Sequence, residues 1–253
     1  MNRIEKAFEN KKAFIGFITA GDPDIETTEK IIEKMVEAGT DLIEIGIPFS
    51  DPNAEGVVIQ DANLRALEKE TDIDDIFKMV ESLRNKIDIP ITLMSYMNPI
   101  FYYGYEEFFS NCNKVGIDGV IIADLPYEEI EEIKEYLDKY DVALVPMIAP
   151  TSNGRIEKLV KDSKGFVYVV SSLGVTGVRT EINKQVEDMV KEVKKYTNTP
   201  VAVGFGISTN AHVKEISNIS DGVIVGSAIV EVIEKYGEDA PEKVYDFIKE
   251  LKK

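Results

Sequence analysis

Short, almost continuously apolar runs recur along the chain: AFIGFIT, DLIEIGIP, ITLMSY, GVIIAD, ALVPMI, FVYVVSS, PVAVGFG and DGVIVGS. Each has the length of a strand, and several are too uniformly apolar for a strand with one wet face, so they predict strands covered on both sides. Between them lie amphipathic segments such as ETTEKIIEKMVEAG, IDDIFKMVESLRNK, YEEIEEIKEYLDK and INKQVEDMVKEVKKY. In the last of these, Ile182, Val186, Met189, Val190 and Val193 fall at helical spacing. Three junctions are alike in ending a helix and launching a strand: EAGTD before LIEIG, KVGID before GVIIAD, and NISD before GVIVGS.

Eight strands alternating with helices over 253 residues predict an α/β protein of the (β/α)8 TIM-barrel class. A doubly wound sheet usually has fewer strands. Residues 2–8 and the segments after Gly56 are then an extra N-terminal helix and additional short helices. No Pro/Ser/Gly-rich linker interrupts the pattern, so residues 1–253 are expected to form a single barrel domain.

Composition narrows the function. With 29 Lys+Arg against 46 Asp+Glu the formal charge is −17, which argues against nucleic acid or an anionic membrane as partner. No stretch approaches the roughly 20 apolar residues of a membrane span, and MNRIEKAFENKKAF lacks a signal-peptide core, so a cytoplasmic protein is expected. Cys112, the one cysteine, cannot form an internal disulfide and reads as buried packing. His212, the one histidine, reads as a surface residue, and no structural zinc is expected.

In a barrel the chemistry belongs at the C-terminal ends of the strands and in the loops after them. Glu44 lies between Ile43 and Ile45 inside a central strand, and a buried carboxylate is costly unless something uses or neutralises it. Burial would raise its proton affinity and suit it to general acid/base work; pairing with a buried hydroxyl or amide is the alternative. The following loop, PFSDPNAEG, carries Asp51 and Glu55, and Glu55 is the candidate second acid/base group. Asp124 ends the fourth strand as a capping or anchoring residue. Glycine-rich strand ends LGVTG, VGFGIS and VGSAIV suggest backbone donors for a phosphate, namely Thr176, Gly177, Gly206, Gly226 and Ser227. Such a site lets an acidic protein bind a small-molecule phosphate. Phe17, Ile59, Met94, Tyr96, Ile121, Ala123, Ile148, Tyr168 and Phe205 could line a flat apolar pocket. Bland readings fit the sequon at 218–220 (coincidence) and the acidic stretch 128–135 (a solvated face).

These stretches resemble one family over nearly the whole chain: FITAGDPD, LIEIGIPFSDPNAEGVVIQDANLRAL, MSYMNPIFYYG, GIDGVIIADLP, VYVVSSLGVTG, VGFGIS and VGSAIV are similar, in order, to the α subunit of tryptophan synthase. The resemblance implies a (β/α)8 barrel that cleaves indole-3-glycerol phosphate to indole and glyceraldehyde 3-phosphate, a lyase of aromatic amino-acid biosynthesis. It implies catalytic roles for Glu44, as general acid/base, and for Glu55, facing the indole N–H. It also implies that the pocket above holds indole, that Asp51 and Pro52 contact a β subunit in an α2β2 assembly, and that pyridoxal phosphate sits on that β subunit with no cofactor on this chain.

At three loop positions the sequence departs from the family: Glu55 where aspartate is usual, Asn53 where an apolar residue is usual, and Val57 where proline is common. A second reading therefore stays open, an α-type subunit that binds ligand and activates its partner while turning over poorly. A third is a different phosphate-binding barrel enzyme, such as a sugar-phosphate isomerase.

Overall fold

The alternation of apolar runs and amphipathic segments is realised as parallel strands with helices between them. The computed structural model describes residues 2–152, 154–170, 179–204 and 206–253. Its strands are β1 (Ala13–Thr19), β2 (Leu42–Gly46), β3 (Ile91–Ser95), β4 (Gly119–Ile122), β5 (Ala143–Leu144), β6 (Met147–Ile148), β7 (Val167–Val170), β8 (Val201–Gly204) and β9 (Gly222–Val225). They form one parallel sheet in the order β5-β4-β3-β2-β1-β9-β8-β7-β6.

Nine strands replace the expected eight because the run ALVPMI is split at Pro146, which has no N–H to give to a ladder. Its two halves stand at opposite ends of the strand order. The Val145 N–H donates to the Val120 carbonyl at 2.9 Å, and the Pro146 carbonyl accepts from the Tyr168 N–H at 3.0 Å. Residues 143–148 thus bridge β4 and β7, and the sheet closes into a (β/α)8 barrel.

Helices cover the outside for local reasons that can be read off. Asp24 caps the helix Ile25–Glu37 by accepting from the Thr27 N–H, and Ile31, Ile32 and Met35 bury one stripe of it. In the helix Arg179–Val193, Val186, Met189, Val190 and Val193 are buried as their spacing predicted; the Ile182 side chain lies outside the described residues. After β2 come two helices, Val57–Glu68 and Ile73–Leu83, the additional pair expected after Gly56. Cys112 is fully buried on the helix Tyr105–Val115.

Side chains alternate along each strand, so the barrel has two separate apolar regions. Outward residues such as Ile43, Ile45, Leu93, Val169 and Val203 pack against the helices. Inward residues, Ala13, Ile15, Leu42, Ile121, Val145, Ala202 and Ile224, fill the lumen. The lumen floor is closed by the N-terminal helix Arg3–Ala7, whose Ile4, Ala7 and neighbouring Phe8 belong to the lumen cluster. This short helix is held by a capping box between Asn2 and Glu5. Arg3 adds ion pairs to Asp88 at 2.9 Å and Asp118 at 3.0 Å, and Asp118 also takes Arg84 at 2.9 Å. Glycine is needed where the floor is tightest: a Cβ on Gly119 would stand 2.9 Å from the Ala143 carbonyl and 3.4 Å from Ile4.

The floor generates a test. Ile4 is fully buried, so Ile4→Ala should cost about 2–5 kcal/mol of unfolding free energy in urea titration, as a core truncation does. A change near zero would show that the lumen does not rely on the helix below it.

Candidate active site

Glu44 stands at the middle of β2, beside Phe17 of β1 and Thr92 of β3 in the ladder registers. Its phase is that of Leu42, so it points into the lumen. The side chain is 0% exposed, and neither carboxylate oxygen has a hydrogen-bond partner. Among the described residues only Thr19 and Thr40 share that condition, each with an unpartnered hydroxyl. Burial pushes the Glu44 pKa up to about 8, because the carboxylate is stripped of water and no described residue donates to it. The acid form therefore predominates at neutral pH, and both oxygens remain available to a ligand.

Tyr168 enters the lumen from β7. Burial and the nearby Glu44 both raise its pKa well above that of a free phenol, so its hydroxyl stays a donor. Its ring crosses the inner side of β8 so closely that a Cβ on Gly204 would fall 2.3 Å from the hydroxyl oxygen. The glycine of VGFG is thus required by the tyrosine opposite.

Glu55 lies at the mouth, half-buried, just before Gly56, the N-cap of the helix Val57–Glu68. Burial raises its pKa, while hydrogen bonds from Tyr96 and Asn63 pull it back. The Asn63 amide donates to Glu55 Oε2 at 3.3 Å, and Gln60 donates to the Glu55 carbonyl at 2.8 Å. Tyr96 is nearly fully buried and its hydroxyl accepts from the Ala54 N–H at 2.9 Å. Burial, first, and the neighbouring Glu55 raise the Tyr96 pKa to about 12. Phe49 packs on its ring with centroids 5.1 Å apart.

The apolar wall between the two glutamates comes from several elements. Phe17, Ile59, Ala62 and Val230 form one cluster, with Met94 against it. Met94, Ile121 and Tyr168 belong to the lumen cluster. Ala123 is half-buried just past β4, its N–H given to the Ser95 carbonyl at 2.9 Å. Ile148 is a correction: it packs among the outer residues under the helices, because Val145 and Met147 take the inward positions on either side of Pro146. Met147 is the pocket-side residue of that run. Phe205 lies outside the described residues. The described wall contains no tryptophan, and the chain has none.

Of the phosphate candidates, Thr176 and Gly177 lie outside the described residues. Gly206, with φ +25°, is exposed just after β8. Gly226 caps the helix Ser227–Tyr236 without a side-chain bond. The Gly226 carbonyl takes the N–H groups of Ile229 and Val230 at 2.8 and 3.1 Å. Those of Ser227 and Ala228 have no carbonyl within the helix to reach, which leaves two donors at the positive end of the helix dipole. They open beside Phe17, whose ring borders Gly226.

Other sequence candidates have structural positions. Asp124 accepts from the Met97 N–H at 2.7 Å and so caps the helix Met97–Tyr103 from the neighbouring strand end. Asp51 is exposed and bonded to Ser50 at 2.5 Å; Pro52 is half-buried. His212 accepts from the Ser208 N–H through Nδ1 at 3.4 Å and stays at the surface. The sequence reading passed over Asn63 and the buried Asp22. Asn63 was detectable as the one polar member of the buried stripe Ile59, Ala62, Asn63 and Ala66. Asp22 is almost fully buried and receives Arg65 through two bonds of 2.8 Å, tying the loop after β1 to the helix that follows Glu55. Among the described residues no cluster of side chains suits a metal ion, and no helix is long and apolar enough to cross a membrane.

Comparison with known proteins meets this geometry. The family described as tryptophan synthase alpha chain matches residues 4–253. A tryptophan synthase alpha chain of Thermoanaerobacter sp. (strain X514) is 51% identical over 259 aligned positions, covering 100% of this chain and 99% of the relative. That of Lacticaseibacillus casei is 44% identical, covering 100% and 95%. Among solved structures, a tryptophan synthase alpha chain from Legionella pneumophila subsp. pneumophila superposes with a TM-score of 0.90 at 33% identity, covering 99% of this chain and 96% of that one. A chain of the tryptophan synthase complex from Pyrococcus furiosus gives 0.87 at 33% identity, covering 95% and 98%.

The state of Glu44 can be measured through stability. Folded Glu44 keeps its proton to about pH 8, whereas the unfolded chain releases it near the ordinary glutamate value. The folded form binds the extra proton in between, so its stability falls as pH rises across that window and levels off above it. Glu44→Gln cannot ionise. It should gain on the unsubstituted protein from about pH 5 to pH 8, by on the order of 3–5 kcal/mol at the plateau, in urea unfolding. Parallel pH dependences of the two proteins would remove burial as the cause.

Proposed function

The chain belongs to the tryptophan synthase alpha chain family, a lyase of tryptophan biosynthesis that cleaves indole-3-glycerol phosphate, and from that premise we propose how its barrel mouth performs the cleavage. The observation that carries the reading is Glu44, a carboxyl group held in its acid form in the lumen with both oxygens free. It protonates indole C3 at the ring carbon that bears the glycerol chain. Positive charge then spreads to the ring nitrogen, whose N–H donates to the carboxylate of Glu55. Loss of the proton from the glycerol hydroxyl next to the ring, assisted by the Glu44 carboxylate just formed, lets the carbon–carbon bond break. Its electron pair returns to the ring to give indole, and the hydroxyl carbon becomes the aldehyde of glyceraldehyde 3-phosphate. Atoms and charge balance, and Glu44 ends as it began.

In this reading the indole lies between Phe17, Met94, Tyr96, Ile121 and Tyr168, with Ile59 and Ala123 at the rim. The phosphate sits on the backbone donors of Gly206, Gly226 and Ser227, with Thr176 and Gly177 as further candidates. Those donors supply attraction that a net charge of −17 does not. The chain acts as one barrel domain, 1–253, in the cytoplasm. No cofactor is assigned to it; pyridoxal phosphate belongs to the β subunit of an α2β2 assembly.

A β-subunit partner follows from the family. Its docking face, on this reading, is the loop with Asp51 and Pro52 together with the helix Met97–Tyr103, two elements joined by the bond from Ala54 to Tyr96. Val57, Phe101 and Tyr102 are 69%, 67% and 91% exposed there, large apolar surface of the kind interfaces bury. The reading of this chain as a binding subunit of low turnover draws its support from Glu55 and Asn53, and a measurement of indole release decides between the two.

Two measurements test this. With β subunit present, Glu44→Gln should lower kcat for indole release by about 10²–10⁴-fold, as loss of a general acid does; retained turnover would sink the assignment. Tyr102→Asp should weaken β-subunit association by at least about tenfold in calorimetry, as loss of an aromatic anchor does. Unchanged affinity would put the docking face elsewhere.

A further inference from the structure

Asn63 is buried, 3% exposed, on the inner face of the helix Val57–Glu68, among Ile59, Ala62 and Ala66. A buried amide needs partners, and this one spends a donor on Glu55 Oε2 at 3.3 Å. Gln60 of the same helix holds the Glu55 carbonyl at 2.8 Å, and Tyr96 holds the neighbouring Ala54 N–H at 2.9 Å. The main chain on either side of the Glu55 side chain is therefore fixed by other groups. The carboxylate itself is held by two side chains, the Tyr96 hydroxyl from the end of β3 and the Asn63 amide from the helix. The bond from Asn63 ties the Glu55 side chain back to the second turn of the helix that follows it.

We propose that Asn63 is a positioning residue of the lyase reaction, its amide aiming the Glu55 carboxylate at the indole N–H. The inference rests on the role given to Glu55 above. An amide donor also favours the charged carboxylate, against the burial that raises its proton affinity. The other groups facing Glu55 do not replace it. Tyr96, from the end of β3, also bonds Glu55, but its hydroxyl takes the Ala54 N–H of the loop as well, so it moves with the loop, whereas Asn63 is carried by the helix. Asp51 in the loop is bonded to Ser50, Arg65 on the helix is engaged by Asp22 and Glu234, and Glu44 lies in the lumen as an acid.

The test uses the complex with β subunit, following indole release from indole-3-glycerol phosphate between pH 5 and 9. Asn63→Ala should move the acidic limb of kcat/KM upward by about half a unit or more, a roughly threefold or greater loss on that limb. Asn63→Asp, which sets a like charge beside Glu55, should move it further, and Asn63→Gln should restore part of it. Circular dichroism establishes that each variant is folded; if Asn63→Ala is not, the other two decide. A limb that stays in place in the folded variants overturns the proposal, since a structural role alone lowers stability without moving the limb. Glu55→Gln separates the two ideas. If it turns over like the parent, the role of Glu55 fails and the proposal falls with it. If it loses turnover while the Asn63 limb stays fixed, Asn63 alone is refuted.

Discussion

A parallel sheet that closes on itself encloses a volume that side chains must fill, and the described residues fill it mostly with apolar groups, leaving one carboxyl group, that of Glu44, buried among them without a partner. Closure depends on residues 143–148, where the strand breaks at Pro146 yet still spans β4 and β7 through Val145 and the Pro146 carbonyl. Below, the N-terminal helix seals the floor with Ile4 and Phe8. Above, the strands end in glycines that leave room for Phe17 and Tyr168. Everything polar about the site follows from that geometry: water is kept from the middle of β2, and a glutamate placed there has no solvent to charge it.

The two carboxyl groups therefore differ without differing in kind. Glu44 has no partner among the described residues and holds its proton to about pH 8. Glu55 has the same desolvation in weaker form, with Tyr96 and Asn63 working against it. One environment supplies an acid and the other supports a charge, the division that a proton transfer to a ring carbon and a developing positive nitrogen require. The pair from Asp22 to Arg65 contributes from a distance. It fastens the loop after β1 to the helix on whose first turns Glu55 and Asn63 depend.

Most of the architecture was legible because strand period and helix period are local properties. All eight apolar runs are strands, and the helical stripe at Val186, Met189, Val190 and Val193 is buried as spaced. Glu44 stood out because a charge inside an apolar run has few explanations. What the run hides is phase: Ala143, Val145 and Met147 keep period 2 on the lumen side straight through Pro146 and Ile148 falls on the helix side, but a run apolar on both faces does not say which phase points inward. Asn63 escaped for a different reason. Its partner is eight residues earlier across a loop, and no local rule pairs residues at that distance. The family resemblance pointed to the two glutamates and to the phosphate turns, yet the side chains supporting Glu55 emerge only once the loop has coordinates.

The pocket wall is built from phenylalanine, tyrosine, methionine and isoleucine, aromatic and apolar surface obtained without an indole side chain anywhere in the 253 residues. That choice reaches beyond packing. A ribosome can complete this chain with no charged tryptophan transfer RNA at all, so the catalyst that works toward the amino acid can still be manufactured when the supply of that amino acid has run out.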